Sequence, residues 1–217
     1  MATTTVELHV RNWAEAVYPG SHLDEDPYYL EHEVAPVIEM NGKAFPKPKD
    51  GLKAAHGFQL IAIDAAKDMT DPASVLVNEY HYSFAHYEVM YRQMIHALLS
   101  AGDPARQRVL VVSFGMAAVA APPVEACKYL IWLGAGKKLQ EWVTGTQMDP
   151  NYHMEHLACY VLVGSSGSGY GQGVEGFTRS DRRGASCSLD MKVTLHNPQP
   201  APRQPHPVHA PRPAAVT

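Results

Sequence analysis

The chain has 217 residues, enough to bury a hydrophobic core without disulfides or a structural metal, so a disulfide-stapled miniprotein is excluded. Apolar residues make up 46% of the chain and charged residues 18%, against roughly 25% charged in an average soluble domain, which predicts a globular protein with an under-charged surface. The formal net charge of −4 provides no field that attracts a polyanion, so we expect no nucleic-acid partner.

Neither a targeting segment nor a disulfide framework is apparent in the sequence. Residues 1–10 contain no basic stretch followed by an apolar run, so we expect no secretory signal and a location in a virion or an intracellular assembly. The longest uncharged stretch, residues 109–124, falls short of the roughly 20 apolar residues of a spanning helix, so no membrane insertion is predicted. The absence of CxxC spacing favours reduced core thiols for the three cysteines, Cys127, Cys159 and Cys187.

The first predicted elements are short strands in an acidic N-terminal extension, residues 1–56. Val6, Leu8 and Val10 alternate with polar residues, which is the period of a half-buried strand. A second strand is expected at residues 34–40, before the turn pair Asn41-Gly42. The acidic residues between these strands form either a solvated loop or a docking surface for a basic partner. The basic, proline-containing run at residues 43–53 predicts an extended linker.

Residues 57–178 carry the patterns of a main domain. Apolar runs predict buried strands at residues 58–63, 109–112 and 160–163. The Asp71-Pro72 turn precedes a further strand at residues 74–82. The clearest helix is predicted by apolar residues at helical spacing, namely Tyr87, Met90, Tyr91, Met94, Ile95, Leu98 and Leu99. The pair Pro122-Pro123 opens a second helix, which is expected to end before Gly134.

The C-terminal part combines a long strand pattern with a proline-rich tail. Residues 179–196 contain an apolar-polar alternation over 185–196, which suits a sheet edge or a docking arm. Residues 197–217 are rich in proline and contain no acidic residue, so we expect an extended polyproline II conformation. If a partner holds this tail, the strand adds to a neighbour's sheet. The candidate partner-binding residues are Leu189, Met191, Val193, Leu195, Arg203 and Arg212.

A set of motifs follows in order along residues 57–177. They are GFQLIAID at 57–64, VLVNEYHYSF at 75–84, the helix at Tyr87, VLVVSF at 109–114, LIWLGAGKKL at 130–139 and YVLVGSSGSGYGQGVE at 160–175. In this order and spacing the segment resembles the interleukin-like EMT-inducer domain, also called the PANDER-like or GG domain. The resemblance covers about 120 residues, roughly a domain's length.

This resemblance implies a non-enzymatic β/α domain. Proteins with such domains include secreted signalling proteins, a sugar-binding stem domain of a glycosyltransferase, parts of cell-surface proteins and a hinge protein of phage tail fibres. The secreted members carry paired cysteines and an acidic residue after the strand that corresponds to residues 109–112. This chain has Ser113-Phe114 there and no pairing set, and this departure from the secreted members favours a viral or cellular assembly over an extracellular cytokine.

Two constellations resemble catalytic or cofactor motifs. His153, Glu155 and His156, with His81 and His86, could contribute zinc ligands, but HxEH is not the HExxH of a metalloprotease and surface histidines are the default interpretation. The glycine-rich run at residues 164–176 lacks the lysine of a P-loop, and it is predicted to allow a close approach of two backbones. We therefore expect neither a metal nor a cofactor.

Sugar binding requires an exposed aromatic side chain beside planar polar groups. The candidates are Trp142, Tyr152, Tyr170, Gln172 and Glu175, whereas Trp132 is assigned to the core. Tyr170, within the glycine-rich loop, is the first residue to test.

The sequence as a whole predicts an α+β fold: a mixed, sandwich-like β-sheet with two helices packed on it and extended N- and C-terminal arms. The predicted function is that of a non-enzymatic structural or interaction protein. It would be a subunit of a multi-protein assembly, such as a phage virion or tail, that forms homo-oligomers and docks through its terminal arms. The alternatives are a carbohydrate-binding module that uses the Tyr170 loop and, third, a metal hydrolase built on His153, Glu155 and His156.

Overall fold

The computed structural model describes residues 5–14, 35–51, 56–82, 87–117, 121–148, 157–180 and 186–196. These residues form ten strands and three α-helices. The strands are β1 (Thr5–Ala14), β2 (Val37–Met40), β3 (Lys43–Ala44), β4 (Gly57–Asp64), β5 (Val75–Tyr82), β6 (Gln107–Phe114), β7 (Met116–Ala117), β8 (Leu157–Ser165), β9 (Val174–Arg179) and β10 (Cys187–His196). The helices are α1 (Tyr87–Ser100), α2 (Val124–Trp132) and α3 (Lys137–Met148).

The strands form two sheets, so the prediction of an α+β fold with β-sheets is confirmed. The smaller sheet has the order β10-β1-β2-β3, and the larger has β5-β4-β6-β8 with β7 and β9 both paired to β8. Across the part of the chain that the structure describes, every strand pair is antiparallel, so the prediction of a mixed sheet was wrong. The strands β5 and β6, which α1 connects, run in the same direction, but they do not pair with each other because β4 lies between them and is antiparallel to both.

The smaller sheet joins strands from opposite ends of the chain. β1 pairs with β10 along its whole length, from Thr5 opposite His196 to Ala14 opposite Cys187. The predicted turn at Asn41-Gly42 connects β2 to β3, and both residues have the positive φ angles, 49° and 71°, that Asn and Gly tolerate in a tight hairpin turn.

The segment that follows β3 runs beside β5 as far as it is described. The carbonyl of Pro46 accepts a hydrogen bond from the side chain of Asn78, and the carbonyl of Gly51 accepts one from the hydroxyl of Tyr82. Lys43 and Ala44 belong to the smaller sheet. The prediction that residues 43–53 are an extended linker was therefore wrong for Lys43 and Ala44. Residues 52–53 lie outside the described part.

The two faces of the larger sheet are covered by different partners. One apolar cluster joins inward side chains of both sheets, including Leu8 and Leu195 from the smaller sheet and Ile61 and Val161 from the larger one. A second cluster joins the opposite face of the larger sheet to the helices. It contains Phe58, Leu60 and Tyr160 from strands and Met90, Leu130 and Trp142 from helices. The alternation of side chains along β4 thus feeds both clusters.

The number of α-helices differs from the prediction. The helices predicted from Tyr87 and from Pro122-Pro123 are present as α1 and α2, but α3 makes a third, so the prediction of two helices was wrong. None of the helices in the described ranges is long and apolar enough to cross a membrane.

Among the histidines of the described residues, His81 is notable for its burial on β5. Only 7% of the residue is exposed, and it lies opposite Phe58 of β4. Removal from water lowers its pKa from 6.5 to about 4, because burial disfavours the charged imidazolium. The carboxylate of Glu79 lies 3.5 Å from Nε2 and acts in the opposite sense. Since that carboxylate is more than half exposed, solvent screens it and the burial effect prevails.

We expect His81 to make stability depend on pH. Its folded-state pKa lies below its unfolded value, so the stability it contributes is complete above about pH 6.5 and is lost as the pH falls towards 4. In urea unfolding, the free energy of unfolding of the wild type should fall by about 2–3 kcal/mol more than that of His81→Gln between pH 7 and pH 4.5. The exposed His96→Gln is the matched control, and parallel pH curves for wild type and His81→Gln would contradict this assignment.

Candidate functional site

The glycine-rich loop between β8 and β9 packs directly on the turn that links α2 to α3. The backbone N–H of Ser165 donates to the carbonyl of Leu133 at 2.9 Å. Further along the loop, the N–H of Gly171 donates to Ala135 at 2.9 Å and that of Gly173 to Gly134 at 2.8 Å. The loop is therefore bound to the turn by main-chain hydrogen bonds at its start and at its end.

This contact depends on the absence of side chains at several positions. A Cβ atom at Gly164 would lie 1.9 Å from the carbonyl oxygen of Leu133, and one at Gly134 would lie 2.6 Å from the backbone nitrogen of Gly173. A Cβ at Gly136 would lie 2.7 Å from the Cα of Gly171. Because backbone atoms cannot move aside as flexible side chains do, these glycines are required by packing. The predicted close approach of two backbones is confirmed.

The carboxylate of Glu175, the second residue of β9, covers the N-terminus of α3. Its Oε2 accepts hydrogen bonds from the backbone N–H groups of Gly136 at 2.8 Å and Lys138 at 3.2 Å. Its Oε1 accepts from the N–H of Leu139 at 3.0 Å. Free N–H groups at the start of a helix attract an anion, both by hydrogen bonding and through the helix dipole. Glu175 supplies that anion from a distant part of the chain.

The fourth donor to Glu175 is the hydroxyl of Tyr160, at 2.7 Å from Oε1. Tyr160 is completely buried, and burial, followed by the nearby negative charge of Glu175, raises the pKa of its phenol well above the ordinary value. The phenol therefore stays protonated and remains a hydrogen-bond donor. With two donors on each oxygen, the Glu175 carboxylate is fully engaged within the protein, so its assignment to a sugar site was wrong.

The indole of Trp142 is also removed from the candidate sugar site. Its ring is 0% exposed and stacks on Phe177 with ring centres 5.8 Å apart, and it contacts Tyr160 and Phe58 at 5.4 and 6.3 Å. The prediction that Trp142 is an exposed stacking platform was wrong, because the apolar face of α3 turns this residue towards the larger sheet.

Two of the predicted sugar-site residues do lie at the surface. Tyr170 is 51% exposed, and its hydroxyl donates a hydrogen bond to Oε1 of Gln140 on α3 at 3.0 Å. Gln172 is exposed in the same loop. The structure therefore offers one oriented aromatic ring with amide groups nearby, while Tyr152 lies outside the described residues.

The candidate metal ligands of the sequence are mostly outside the described ranges. His86, His153, Glu155 and His156 fall there, and His81 is buried on β5. Across the residues that the structure describes, no group of three or more His, Cys, Asp or Glu side chains could hold a metal ion.

The candidate partner-binding residues of β10 are used inside the protein. Val193 and Leu195 are 8% and 6% exposed, and they belong to the apolar cluster between the two sheets. Leu189 and Met191 pack against the same cluster and approach the backbone at Gly176. The prediction that side chains of β10 bind a partner was wrong for Val193 and Leu195, because they are buried against the larger sheet of the same chain. For the part-buried Leu189 and Met191 it stays a prediction. Arg203 and Arg212 lie outside the described residues.

Two features of the region were not anticipated from the sequence. Arg108 of β6 reaches the end of β10, where its guanidinium donates to the carbonyl of His196 at 2.8 Å and also contacts the hydroxyl of Ser165. Cys159 and Cys187, which lie 28 residues apart in sequence, bring their sulfur atoms to within 3.5 Å. Neither contact has a local sequence signal, because both depend on how β10 is placed against the larger sheet.

No protein-family model and no curated protein sequence matches this chain. The resemblance to the interleukin-like EMT-inducer domain therefore stays a prediction that depends on the quoted motifs.

Removal of the Glu175 carboxylate should destabilise the fold. Glu175→Ala leaves the start of α3 uncapped and the buried Tyr160 hydroxyl without its acceptor, which we expect to cost about 2–4 kcal/mol. Urea unfolding followed by circular dichroism measures this loss. The matched control is Glu141→Ala on the exposed side of α3, where a surface ion pair with Lys138 is lost at a cost below about 0.5 kcal/mol. Equal losses for the two variants would contradict the capping role.

Proposed function

We propose that this chain is a non-enzymatic structural or interaction protein, a subunit of a multi-protein assembly that associates with copies of itself through one edge of the smaller sheet and its flanking terminal segments. A phage virion or tail is the most concrete version of this proposal. The proposal includes a sandwich-like arrangement of the two sheets and extended terminal arms, as the sequence predicts. Its main support is the full-length pairing of β10 with β1.

That pairing brings the two ends of the described chain together. Thr5 lies opposite His196, so residues 1–4 and the proline-rich residues 197–217 are attached at neighbouring points at the same end of the smaller sheet. A proline-rich segment has few backbone donors and no apolar core of its own, so it gains most from lying along another surface. Both segments can therefore reach the same partner.

The backbone of β10 offers an open edge beside these segments. The N–H and C=O groups of Glu7 on β1 are both bonded on the β2 side, to the side chain and backbone of Asn41. Along an antiparallel strand, the N–H and C=O groups of successive residues point alternately to one side and to the other. Every second residue of β1, counted from Glu7 in both directions, therefore points its backbone groups towards the β2 side. The residues of β10 opposite these positions point theirs away from β1. Apart from His196, whose carbonyl is bonded to Arg108, these residues on β10 are Ser188, Asp190, Lys192 and Thr194. No strand of the described residues pairs with them.

This edge has the chemistry for main-chain recognition. Each outward-facing residue presents one N–H and one C=O group, which is the pattern that an added strand recognises. The inward-facing residues of β10 hold the strand against the larger sheet, so the edge is fixed before a partner arrives. Fixing a strand in advance lowers the entropic cost of association.

The proposal predicts self-association that depends on both features. Sedimentation velocity on the full chain, on residues 1–196 and on Lys192→Pro should show oligomers for the first and at least a tenfold weaker association for the other two. Proline at position 192 removes one outward N–H group while the bonds to β1 are kept. Lys192→Thr, which keeps that N–H and suits a strand, is the matched control and should associate like the full chain.

Thermal unfolding of all four proteins shows whether each variant keeps its fold. If the folded full chain remains a monomer at high micromolar concentration, or if all four proteins associate equally, the assembly role through this edge is wrong.

A carbohydrate-binding module is the second candidate, and the exposed ring of Tyr170 is the observation that favours it. An aromatic ring held by a hydrogen bond to Gln140, with Gln172 in the same loop, can stack on a sugar ring and bond its hydroxyl groups. The loop is fixed to the α2–α3 turn by its glycine contacts, so the ring has a defined position.

Glycan-array binding followed by titration calorimetry tests this candidate. Tyr170→Ala should abolish binding of any hit, whereas Tyr170→Phe should retain the stacking and weaken the affinity by roughly threefold to tenfold. Val124→Ala, at an exposed apolar residue at the start of α2 away from the loop, is the control and should leave binding unchanged. A hit that survives Tyr170→Ala, or the absence of any hit, would leave this candidate without support.

A further inference from the structure

Two cysteine side chains approach each other between the two sheets. The sulfur of Cys159, the third residue of β8, is 3.5 Å from the sulfur of Cys187, the first residue of β10. Both cysteines are free thiols. A disulfide requires the sulfur atoms to come about 1.5 Å closer, a movement within reach of small rotations of the two side chains.

The two thiols occupy different surroundings. Cys159 is fully buried in a small apolar cluster with Ala14 and Leu157, and its thiol lies 3.5 Å from the carbonyl of Cys187. Cys187 is only half-buried and packs at the margin of that cluster. A reagent from solvent therefore reaches Cys187 first.

The electrostatics of the pair agree with this order. Hydrogen bonds from the Cys159 thiol and, less strongly, from the backbone N–H of Ser180 hold the pKa of Cys187 below its ordinary value against the effect of burial. The bond with Cys187 and burial raise the pKa of Cys159. The thiolate is the nucleophile in disulfide exchange, so Cys187 is the sulfur prepared to attack.

We propose that Cys187 and Cys159 are a redox pair that closes a disulfide between the two sheets when the protein meets a low-molecular-weight disulfide. In the first step the thiolate of Cys187 attacks one sulfur of the oxidant and expels the other as a thiolate, which leaves a mixed disulfide on Cys187. In the second step Cys159 gives up its proton and attacks the Cys187 sulfur, which expels the second thiolate. The two cysteines are oxidised, and the oxidant is reduced to two thiols.

The disulfide would act as a covalent clamp on the smaller sheet. Cys187 lies opposite Ala14 at one end of the β1–β10 pair, and Cys159 belongs to the larger sheet. A bond between them closes the chain over residues 159–187, which contain β9, and fixes one end of the smaller sheet to the larger one. The redox proposal does not require the proposed assembly, although both involve β10.

Oxidised glutathione on the purified, folded full chain is the probe. The protein is then denatured, alkylated and digested with trypsin, which cleaves between the two cysteines at Arg179. The expected product is a peptide pair joined through Cys159 and Cys187, with two fewer alkylated thiols, while Cys127 stays alkylated. The melting temperature of the oxidised chain should exceed that of the reduced chain by about 5–10 °C.

Single substitutions separate the two steps. Cys159→Ser should stop after the first step and retain one glutathione on Cys187, whereas Cys187→Ser should leave the buried Cys159 unmodified. Cys127→Ser is the matched control and should form the same disulfide as the wild type. The wild-type peptide map tests the proposal even if a variant fails to fold.

Three results would overturn the redox pair. They are a wild type that keeps glutathione on Cys187 with Cys159 still alkylatable, a linkage through Cys127, and a folded chain in which neither cysteine reacts. Oxidation in concentrated guanidinium chloride provides the reference, since an unfolded chain should give mixed pairings that include Cys127.

Discussion

The approach of two backbones at the glycine-rich loop is the constraint on which the arrangement of the larger sheet and its helices depends. Gly164 and Gly134 allow main-chain hydrogen bonds between the loop and the α2–α3 turn at distances that any side chain would prevent. That contact brings Glu175 to the start of α3, where its carboxylate takes up three backbone N–H groups and the Tyr160 hydroxyl. A helix, a strand and a buried phenol are thus held by one side chain.

The larger sheet then serves as the common wall of two apolar clusters. Along β4 the side chains of Phe58 and Leu60 face the helices, whereas Ile61 and Ile63 face the smaller sheet. Burial on both faces explains why β4, β6 and β8 are continuous apolar runs, which are also the runs that the sequence makes easiest to find. Within the described residues the smaller sheet is covered on one face only, and its strands accordingly alternate between buried and exposed side chains.

The strands of the core and the helix α1 could be predicted because local patterns encode them, but α3 could not. Its sequence, KKLQEWVTGTQM, has no capping residue before it, and the cap comes from Glu175, 36 residues beyond Leu139. The assignment of Trp142 and Glu175 to a sugar site failed for the same reason. Residue types suggested exposed recognition groups, whereas tertiary contacts bury one and saturate the other. The contact of Cys159 with Cys187 likewise depends on the pairing of β10 with β1, which has no local signal.

Each end of β10 contacts the larger sheet, and these contacts bear on its proposed role. At its start, Cys187 meets the larger sheet through Cys159, and at its end the carbonyl of His196 accepts a hydrogen bond from Arg108 of β6. Between these points the inward side chains of β10 pack on the core, while alternate backbone groups face away from β1. A strand fixed at both ends loses little freedom when another strand pairs with it, because the chain is already extended and aligned. The packing of the apolar side chains of β10 on the larger sheet therefore holds the strand in the conformation in which its backbone can pair with another strand.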